Sequence, residues 1–423
     1  MDTKMSREGY DWPDWPQFGE ETMEQLRQVL ASKRWTLSGY WTGTDSKEQQ
    51  FAKAFAAFHD VPFCTPTTSG TNALILALEG LGVGAGDEVI VPALTWVATA
   101  TAVLQVNAKV VLVDVEPDTY CLDPEQVRAA ITPRTKAIIP VHLYGCMVNM
   151  DAIMDIARAH DLLVIEDCAQ THGSVWNGRR AGTIGHAGAF SMQQGKVLTA
   201  GEGGAVITKD QTLFDRMEQL RADSRELIAG EKLSYGDMQL VASGLMQGQN
   251  RCLSEFHAAI LLEQLDRLQE QNTIRARNAK RLDEAFEAIP GLLPMKRYTQ
   301  IDEQTYYGYV VRLDFQQFGD FFRSRFGDRA VELMCGRLQQ QLGMGDFHLH
   351  PPYPAVHQSP LFCPWKNARY HAEVAQTEAE WRGLHFPVAE SAMSQSIVLH
   401  HSILLASSDA IERIITAFRQ QLS

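Results

Sequence analysis

Leu162-Leu163-Val164-Ile165-Glu166-Asp167-Cys168-Ala169-Gln170 is a short apolar run that ends on two acids. Residues 162–166 have the length and the β-branched content of a strand buried on both faces. The segment before it, Met150–His160, has helical spacing. Five other runs read the same way: Glu88–Val91, Val110–Val115, Ala137–Val141, Gly188–Met192 and Ala205–Thr208. Between them lie helical patterns at Thr71–Leu81, Thr95–Leu104 and Pro124–Ala130. Strand and helix in alternation predict an α/β fold whose sheet is mostly parallel, because parallel neighbours need a crossover connection.

Outside this region the pattern differs. Residues 20–31 and 46–57 read as helices, and residues 254–288 form one long helical stretch with Leu261, Leu265 and Leu268 on one face. Beyond it come strand patterns at Tyr307–Leu313 and Ser396–His400, a loop rich in Pro, His and Tyr at 346–362, and a final helix from Ser408. These imply a smaller α+β domain at the C-terminus, so the expected division is 1–270, including an N-terminal arm, and 271–423.

The chain has 423 residues, 45% of them apolar and 21% charged, which is ordinary globular usage. Lys and Arg number 38 against 51 Asp and Glu, a net charge of −13 that argues against nucleic acid as a partner. The seven cysteines are scattered with no C-x-x-C, which favours reduced thiols and a cytoplasmic location over a disulfide framework or a zinc ribbon. The acidic, aromatic stretch Met1–Glu20 lacks the features of a signal peptide, and no run approaches the roughly 18 apolar residues of a membrane span.

Four places can carry chemistry. Lys196 lies between a strand end and the glycine-rich Gly201-Glu202-Gly203-Gly204-Ala205. A lysine held close to backbone, with little water, loses its proton more easily and can form a Schiff base with an aldehyde; a surface lysine beside a turn is the plainer alternative. Asp167 closes its strand, at the end where open α/β sheets bind ligands, although an acid there also serves as a helix cap. Ser69-Gly70-Thr71 opens a helix, so its backbone N–H groups and hydroxyls suit a phosphate as well as they suit simple capping. Trp96 follows a strand and can stack on a flat ring or pack into the core. Gly82-Val83-Gly84-Ala85-Gly86 lacks dinucleotide-binding spacing and reads as a turn.

Taken in order, Ser69-Gly70-Thr71, Trp96, Asp167-Cys168-Ala169-Gln170, Ser191, Gly195-Lys196 and Gly248-Gln249-Asn250-Arg251 resemble the DegT/DnrJ/EryC1/StrS family of aminotransferases. The likeness runs over about residues 12 to 420 and, within the family, is nearest to the glutamine:scyllo-inosose aminotransferase branch, through Trp15-Pro16-Gln17, Arg34-Trp35, Gln193-Gln194, Pro351-Pro352-Tyr353 and His400-His401-Ser402. The resemblance implies the type I fold of aspartate aminotransferase, pyridoxal 5'-phosphate as cofactor, an amino-acid donor (glutamine or glutamate), and a keto-cyclitol or keto-sugar acceptor. It implies that Lys196 forms the internal aldimine, Asp167 pairs with the pyridine nitrogen and Gln170 bonds the phenolic oxygen. Trp96 would stack on one ring face, Ala169 would leave room on the other, and Ser69, Gly70, Thr71 and Ser191 would hold the phosphate. Asn250 would reach the phosphate of a neighbouring subunit, making a homodimer the minimal active unit. The related 3-amino-5-hydroxybenzoate synthases, which are dehydratases, share several of these features; the family's pattern puts histidine there where this chain has Gln170.

Several histidines need a reading of their own. His348, His350 and His357 lie near Asp346, which suits a metal less well than the rim of an acceptor pocket, since no cysteine or H-x3-H spacing accompanies them. His400-His401 ends a strand, so its two rings are expected on opposite faces. Tyr144 and His172 are candidate rim groups, and the loops 35–42, 224–250 and 346–362 are candidates for substrate choice.

Overall fold

The computed structural model describes residues 12–315, 317 and 329–422; the first eleven residues of the acidic N-terminal stretch lie outside them. The large sheet has seven strands: β1 (Phe63–Thr67), β2 (Glu88–Pro92), β3 (Lys109–Val113), β4 (Thr135–Ile138), β5 (Leu163–Asp167), β6 (Ala187–Ser191) and β7 (Gly204–Thr208). Their spatial order is β1-β7-β6-β5-β4-β2-β3. Strands β3, β2, β4, β5 and β6 pair in parallel, while β7 runs antiparallel to both its neighbours, β1 and β6. Strand β7 therefore enters the sheet at the edge where the others leave it, and Gly204 is paired with both Ser191 and Thr67.

Alternate residues of the strands feed two cores, one on each face. Val89, Val91 and Ile165 belong to one, Ile90 and Val164 to the other. That double burial is why several of the six predicted runs read as apolar throughout. Strand β1 gave no such signal: Phe63-Cys64-Thr65-Pro66-Thr67 lies on the sheet's edge, where Pro66 is tolerated because only one neighbour needs backbone donors.

The helices of the large region are α1 (Glu20–Ser32), α2 (Lys47–Phe58), α3 (Gly70–Gly80), α4 (Ala98–Gln105), α5 (Pro124–Ala130), α6 (Met150–His160) and α7 (Gln211–Arg221). Their starts are written in side chains. Ser46, Ser69, Asp123, Asn149 and Asp210 each accept a backbone N–H from the first turn. The sequence reading passes over α7 because it is polar, yet its buried Leu213, Met217 and Leu220 keep the i, i+4, i+7 spacing.

Helix α8 (Glu255–Glu287) runs unbroken for 33 residues. Leu261 and Leu268 pack against one face of the large sheet, and Leu282 and Phe286 against a second, antiparallel sheet. That sheet contains β8 (Leu292–Pro294), β9 (Gly308–Leu313), β10 (Leu349–His350) and β11 (Ser396–His400) in the order β8-β9-β11-β10. The C-terminal region also holds helices α9 (Ala330–Leu342), α10 (Pro387–Gln395) and α11 (Ser408–Leu422), besides the short helices Ala372–Ala375 and Glu378–Arg382, and α9 and α11 close the core over that sheet. No helix among the described residues is long and apolar enough to cross a membrane.

Candidate active site

A cavity of about 680 Å³ opens at the carboxyl edge of the large sheet, a size that suits a cofactor with a small substrate. Nine sequence-predicted residues line it: Ser69, Gly70, Thr71, Trp96, Asp167, Ala169, Gln170, Ser191 and Lys196. They come from the ends of β1, β2, β5 and β6 and the turns that follow. Asn250 is not among them. It is exposed on this chain, and its Oδ1 accepts the Cys252 N–H at 3.4 Å.

Asp167 is 6% exposed. Its Oδ2 accepts the Thr99 hydroxyl at 2.8 Å and its Oδ1 the Ala169 N–H at 3.1 Å. Burial pushes its pKa up, while those two donors and the charge of Lys196 work in the opposite direction. A buried carboxylate with room for one more partner is a strong acceptor for a cationic N–H. Thr99, on α4, is a residue of the cavity lining that sequence reading missed. The signal available was its place one helical turn after Trp96.

Lys196 is 8% exposed, and its Nζ lies 4.3 Å from the centre of the Tyr307 ring. That face stabilises an ammonium. The backbone around the lysine is tightly held, because Lys196 N–H donates to the Gln193 carbonyl at 2.8 Å.

At the start of α3, the Ser69 hydroxyl accepts the Asn72 N–H and the Ser69 carbonyl accepts the Ala73 N–H. The first N–H groups of a helix have no partner within it and carry its positive dipole end. A Cβ at Gly70 would sit 2.5 Å from the Ser191 Cβ, so only glycine lets this turn approach Ser191. Gly204 has the same role from the other side, with a Cβ there falling 2.4 Å from the Ser69 carbonyl oxygen. Bare backbone donors and two hydroxyls at one place can hold a phosphate.

Gln170 is 3% exposed, and its Oε1 accepts the Tyr144 N–H at 2.6 Å. A backbone N–H only donates, so this bond fixes which end of the amide is oxygen and leaves the NH2 as the end free to donate within the cavity. Trp96 is 47% exposed and stands edge-on to Tyr353 with ring centres 5.6 Å apart. Tyr144 is buried, stacks on Tyr353 and receives the Tyr353 N–H on its hydroxyl, so it supports the cavity from behind. His172 is fully buried beside Phe190 and is no rim group.

Of the three loops expected to choose substrate, only 346–362 contributes lining residues, through Asp346, Phe347, His350 and Tyr353. His357 lies elsewhere, bonded to Glu390 at 3.1 Å. His400 and His401 do not point to opposite faces: both Nε2 atoms meet the Gly195 carbonyl, at 3.2 and 3.0 Å. The alternation rule fails because β11 ends at His400 and the chain turns at His401. A buried group of His142, Glu166 and Cys168 has the proximity of a metal site. Its donors are otherwise engaged, since Glu166 accepts the N–H groups of Gly182, Ile184 and Gly185, and His142 Nδ1 accepts that of Val148. It is a brace under the strand that carries Asp167.

This donor set fits the cofactor that the sequence resemblance implies: an amine for the aldehyde, an acid for the ring nitrogen, an amide donor for the phenolic oxygen, and a glycine-lined helix start for the phosphate. The comparisons agree. Residues 16–335 match the DegT/DnrJ/EryC1/StrS aminotransferase family. The chain is 44% identical to an L-glutamine:2-deoxy-scyllo-inosose aminotransferase of Streptomyces fradiae, over 97% of this chain and 94% of that protein. It is 43% identical to an L-glutamine:scyllo-inosose aminotransferase of Streptomyces griseus, with the same coverage. Among solved structures, 3-amino-5-hydroxybenzoic acid synthase is similar with a TM-score of 0.80 at 30% identity, over 97% of this chain and 99% of that one. Fold, cavity and sequence thus lead to one conclusion: the chain belongs to the DegT/DnrJ/EryC1/StrS aminotransferase family and is a pyridoxal-phosphate-dependent aminotransferase.

Proposed function

We propose that this enzyme moves the amino group of L-glutamine or L-glutamate to the ketone of a cyclitol. The observation that carries the reading is the meeting of Lys196 and Asp167, 29 positions apart in sequence (196 − 167), in one cavity. The names of the relatives, glutamine:inosose aminotransferases at 43–44% identity, support the donor and acceptor. The lining supports an uncharged acceptor over a nucleotide-linked sugar. Lys196 is its one Lys or Arg among the described residues, whereas Glu202, Asp346 and His350 offer acceptors for hydroxyl groups.

When bound, pyridoxal phosphate supplies an aldehyde to hold amines and a protonated ring to draw off the electrons of a carbanion. Lys196 would hold that aldehyde and, with the donor amine in its place, would be the free amine positioned to move a proton from the donor's α-carbon. Tyr307 steadies the lysine's ammonium through its ring face, 4.3 Å away. Asp167, itself oriented by Thr99 and the Ala169 N–H, would hold the proton on the ring nitrogen. Gln170 would donate to the phenolic oxygen, with Trp96 to cover one ring face and the small Ala169 to leave room on the other, all three being residues of the cavity lining. Ser69, Gly70, Thr71 and Ser191, which line the same end of the cavity, would hold the phosphate. The same residues would serve the return half, in which the acceptor ketone receives the amino group.

We further read the enzyme as a homodimer in which the exposed Asn250 reaches the partner's phosphate, with 1–270 as its large unit and 271–423 as its small one. The seven free cysteines support a cytoplasmic location. The test is to load the protein with pyridoxamine phosphate and screen keto-cyclitols against nucleotide-linked keto-sugars for recovery of the visible absorbance band. Recovery with a cyclitol, and initial rates giving parallel double-reciprocal lines, are expected. Intersecting lines would refute the two-stage scheme. A product lighter by one water, with no gain of an amino group, would favour the dehydratase reading.

A further inference from the structure

His400-His401 is the one strand-end motif to which the reaction above gives no task. We propose that His401, together with His400, is a positioning residue for Lys196: two imidazole N–H groups hold the carbonyl of the Gly195–Lys196 peptide bond and so aim the ε-amine into the cavity. The proposal rests on Lys196 being the cofactor's attachment point.

The geometry fixes the chemistry of the contact. A carbonyl oxygen only accepts, so both Nε2 atoms must carry hydrogen. His400 is constrained a second time, because its Nδ1 accepts the Ser402 N–H at 3.3 Å. The carbonyl's two lone pairs are thereby both used. The other end of the same peptide unit is tied as well, through Lys196 N–H to the Gln193 carbonyl at 2.8 Å. One position earlier, the Gln194 carbonyl accepts the Trp15 indole N–H at 2.8 Å, and the Trp15 ring stands edge-on to His401 at 4.5 Å. Three ring N–H donors, from the N-terminal arm and the end of β11, therefore hold two successive carbonyls in front of the lysine.

The restraint has a physical purpose. Gly195 has no side chain and is the freest residue to rotate just where the lysine's direction is set. Bonds from outside the loop supply the rigidity that a Cβ would have given. The backbone N–H of His401 donates to the Tyr307 carbonyl at 3.2 Å, and the Tyr307 ring lies under Lys196 Nζ, so one residue registers both the clamp and the amine. Burial holds His400 at about 3 and His401 well below the ordinary imidazole range, so each presents a single neutral N–H.

The test compares His401→Leu with His401→Gln, whose amide restores an N–H donor. The readouts are the rate at which the cofactor-free protein attaches added pyridoxal phosphate, followed by absorbance, and kcat and KM of the loaded enzyme. His401→Leu is expected to slow attachment and lower kcat by about tenfold or more, with KM for both substrates within about threefold, since misaiming a reactive group by 1 Å costs up to about a hundredfold. His401→Gln should recover most of both losses at an unchanged melting temperature. Equal rates for the Leu and Gln variants, or wild-type rates for the Leu variant, would overturn the proposal. If His401→Leu does not fold, Trp15→Phe removes the indole N–H together with part of the ring that packs on His401; slowed attachment at an unchanged melting temperature supports the clamp and a wild-type rate rejects it. Lys196→Ala separates the two claims. A band that survives in Lys196→Ala defeats the reading of the lysine itself, whereas no band there with normal attachment in His401→Leu defeats only the clamp.

Discussion

Thr99→Val is the substitution that most directly probes how the site is built. Valine matches threonine in shape, so packing at this 1%-exposed position is kept and only the hydroxyl is lost. The hydroxyl donates to Asp167 Oδ2 at 2.8 Å and lies 3.1 Å from the Thr95 hydroxyl. Its removal leaves the carboxylate with the Ala169 N–H alone. A hydrogen bond to a charged group is worth about 1.5–3 kcal/mol, and each ~1.4 kcal/mol is a factor of ten. If that energy is spent holding the ionised carboxylate against the ring nitrogen, cofactor affinity and kcat should together fall by about tenfold to a hundredfold. The direction of the pH effect follows from the same contact. Burial already raises the folded-state pKa of Asp167, and the Thr99 bond opposes that rise. An ionised Asp167 therefore costs the cofactor-free protein stability above its raised pKa, and the cost is relieved as pH falls through that pKa toward the unfolded value. In Thr99→Val the relief begins at higher pH. The assay is a titration of cofactor-free protein with pyridoxal phosphate by absorbance, steady-state turnover, and urea unfolding at several pH values, with Thr99→Ser as the control that keeps the donor. Unchanged affinity and turnover in Thr99→Val would refute the account of Asp167.

Other outcomes follow from single contacts. Gly70→Ala places a methyl 2.5 Å from the Ser191 Cβ, so it should cost about 1–3 kcal/mol in urea unfolding and weaken phosphate-dependent cofactor binding; Gly84→Ala, whose nearest atom is 3.6 Å away, is a control for the added methyl. Gln170→Glu replaces the amide donor proposed for the phenolic oxygen with a carboxylate and should lower cofactor affinity about tenfold or more by absorbance titration; an unchanged dissociation constant would reject that role for Gln170. Burial holds His59 at about 4 and His400 at about 3, below their usual 6.5. The unfolded chain therefore takes up protons first on acidification, and stability present above pH 6.5 is lost as pH falls toward 4 and then 3. Urea midpoints at pH 7, 6 and 5 measure this, and His59→Leu should flatten the slope.

How much of this was legible beforehand depends on where each signal lives. The strands β2 to β7 announced themselves because both faces are buried, and α5, α6, β11 and the start of α11 coincide with their sequence bounds because caps and apolar spacing are local. Strand β1 was silent, since an edge strand with a proline carries no apolar run. The nine lining residues were readable as motifs at strand ends, where glycine, hydroxyl and acid side chains stand in short local patterns.

The sequence by itself thus determined the alternation of strand and helix, the chemical types at each strand's carboxyl end and the family to which they belong. Only the folded chain decided that Thr99 orients Asp167, that Tyr307 lies under Lys196, and that Trp15, His400 and His401 grip the loop before the lysine. Those contacts join residues up to 206 positions apart. Periodicity and capping report a residue's own neighbours along the chain, whereas a hydrogen bond between distant segments exists only once the sheets have brought their ends together.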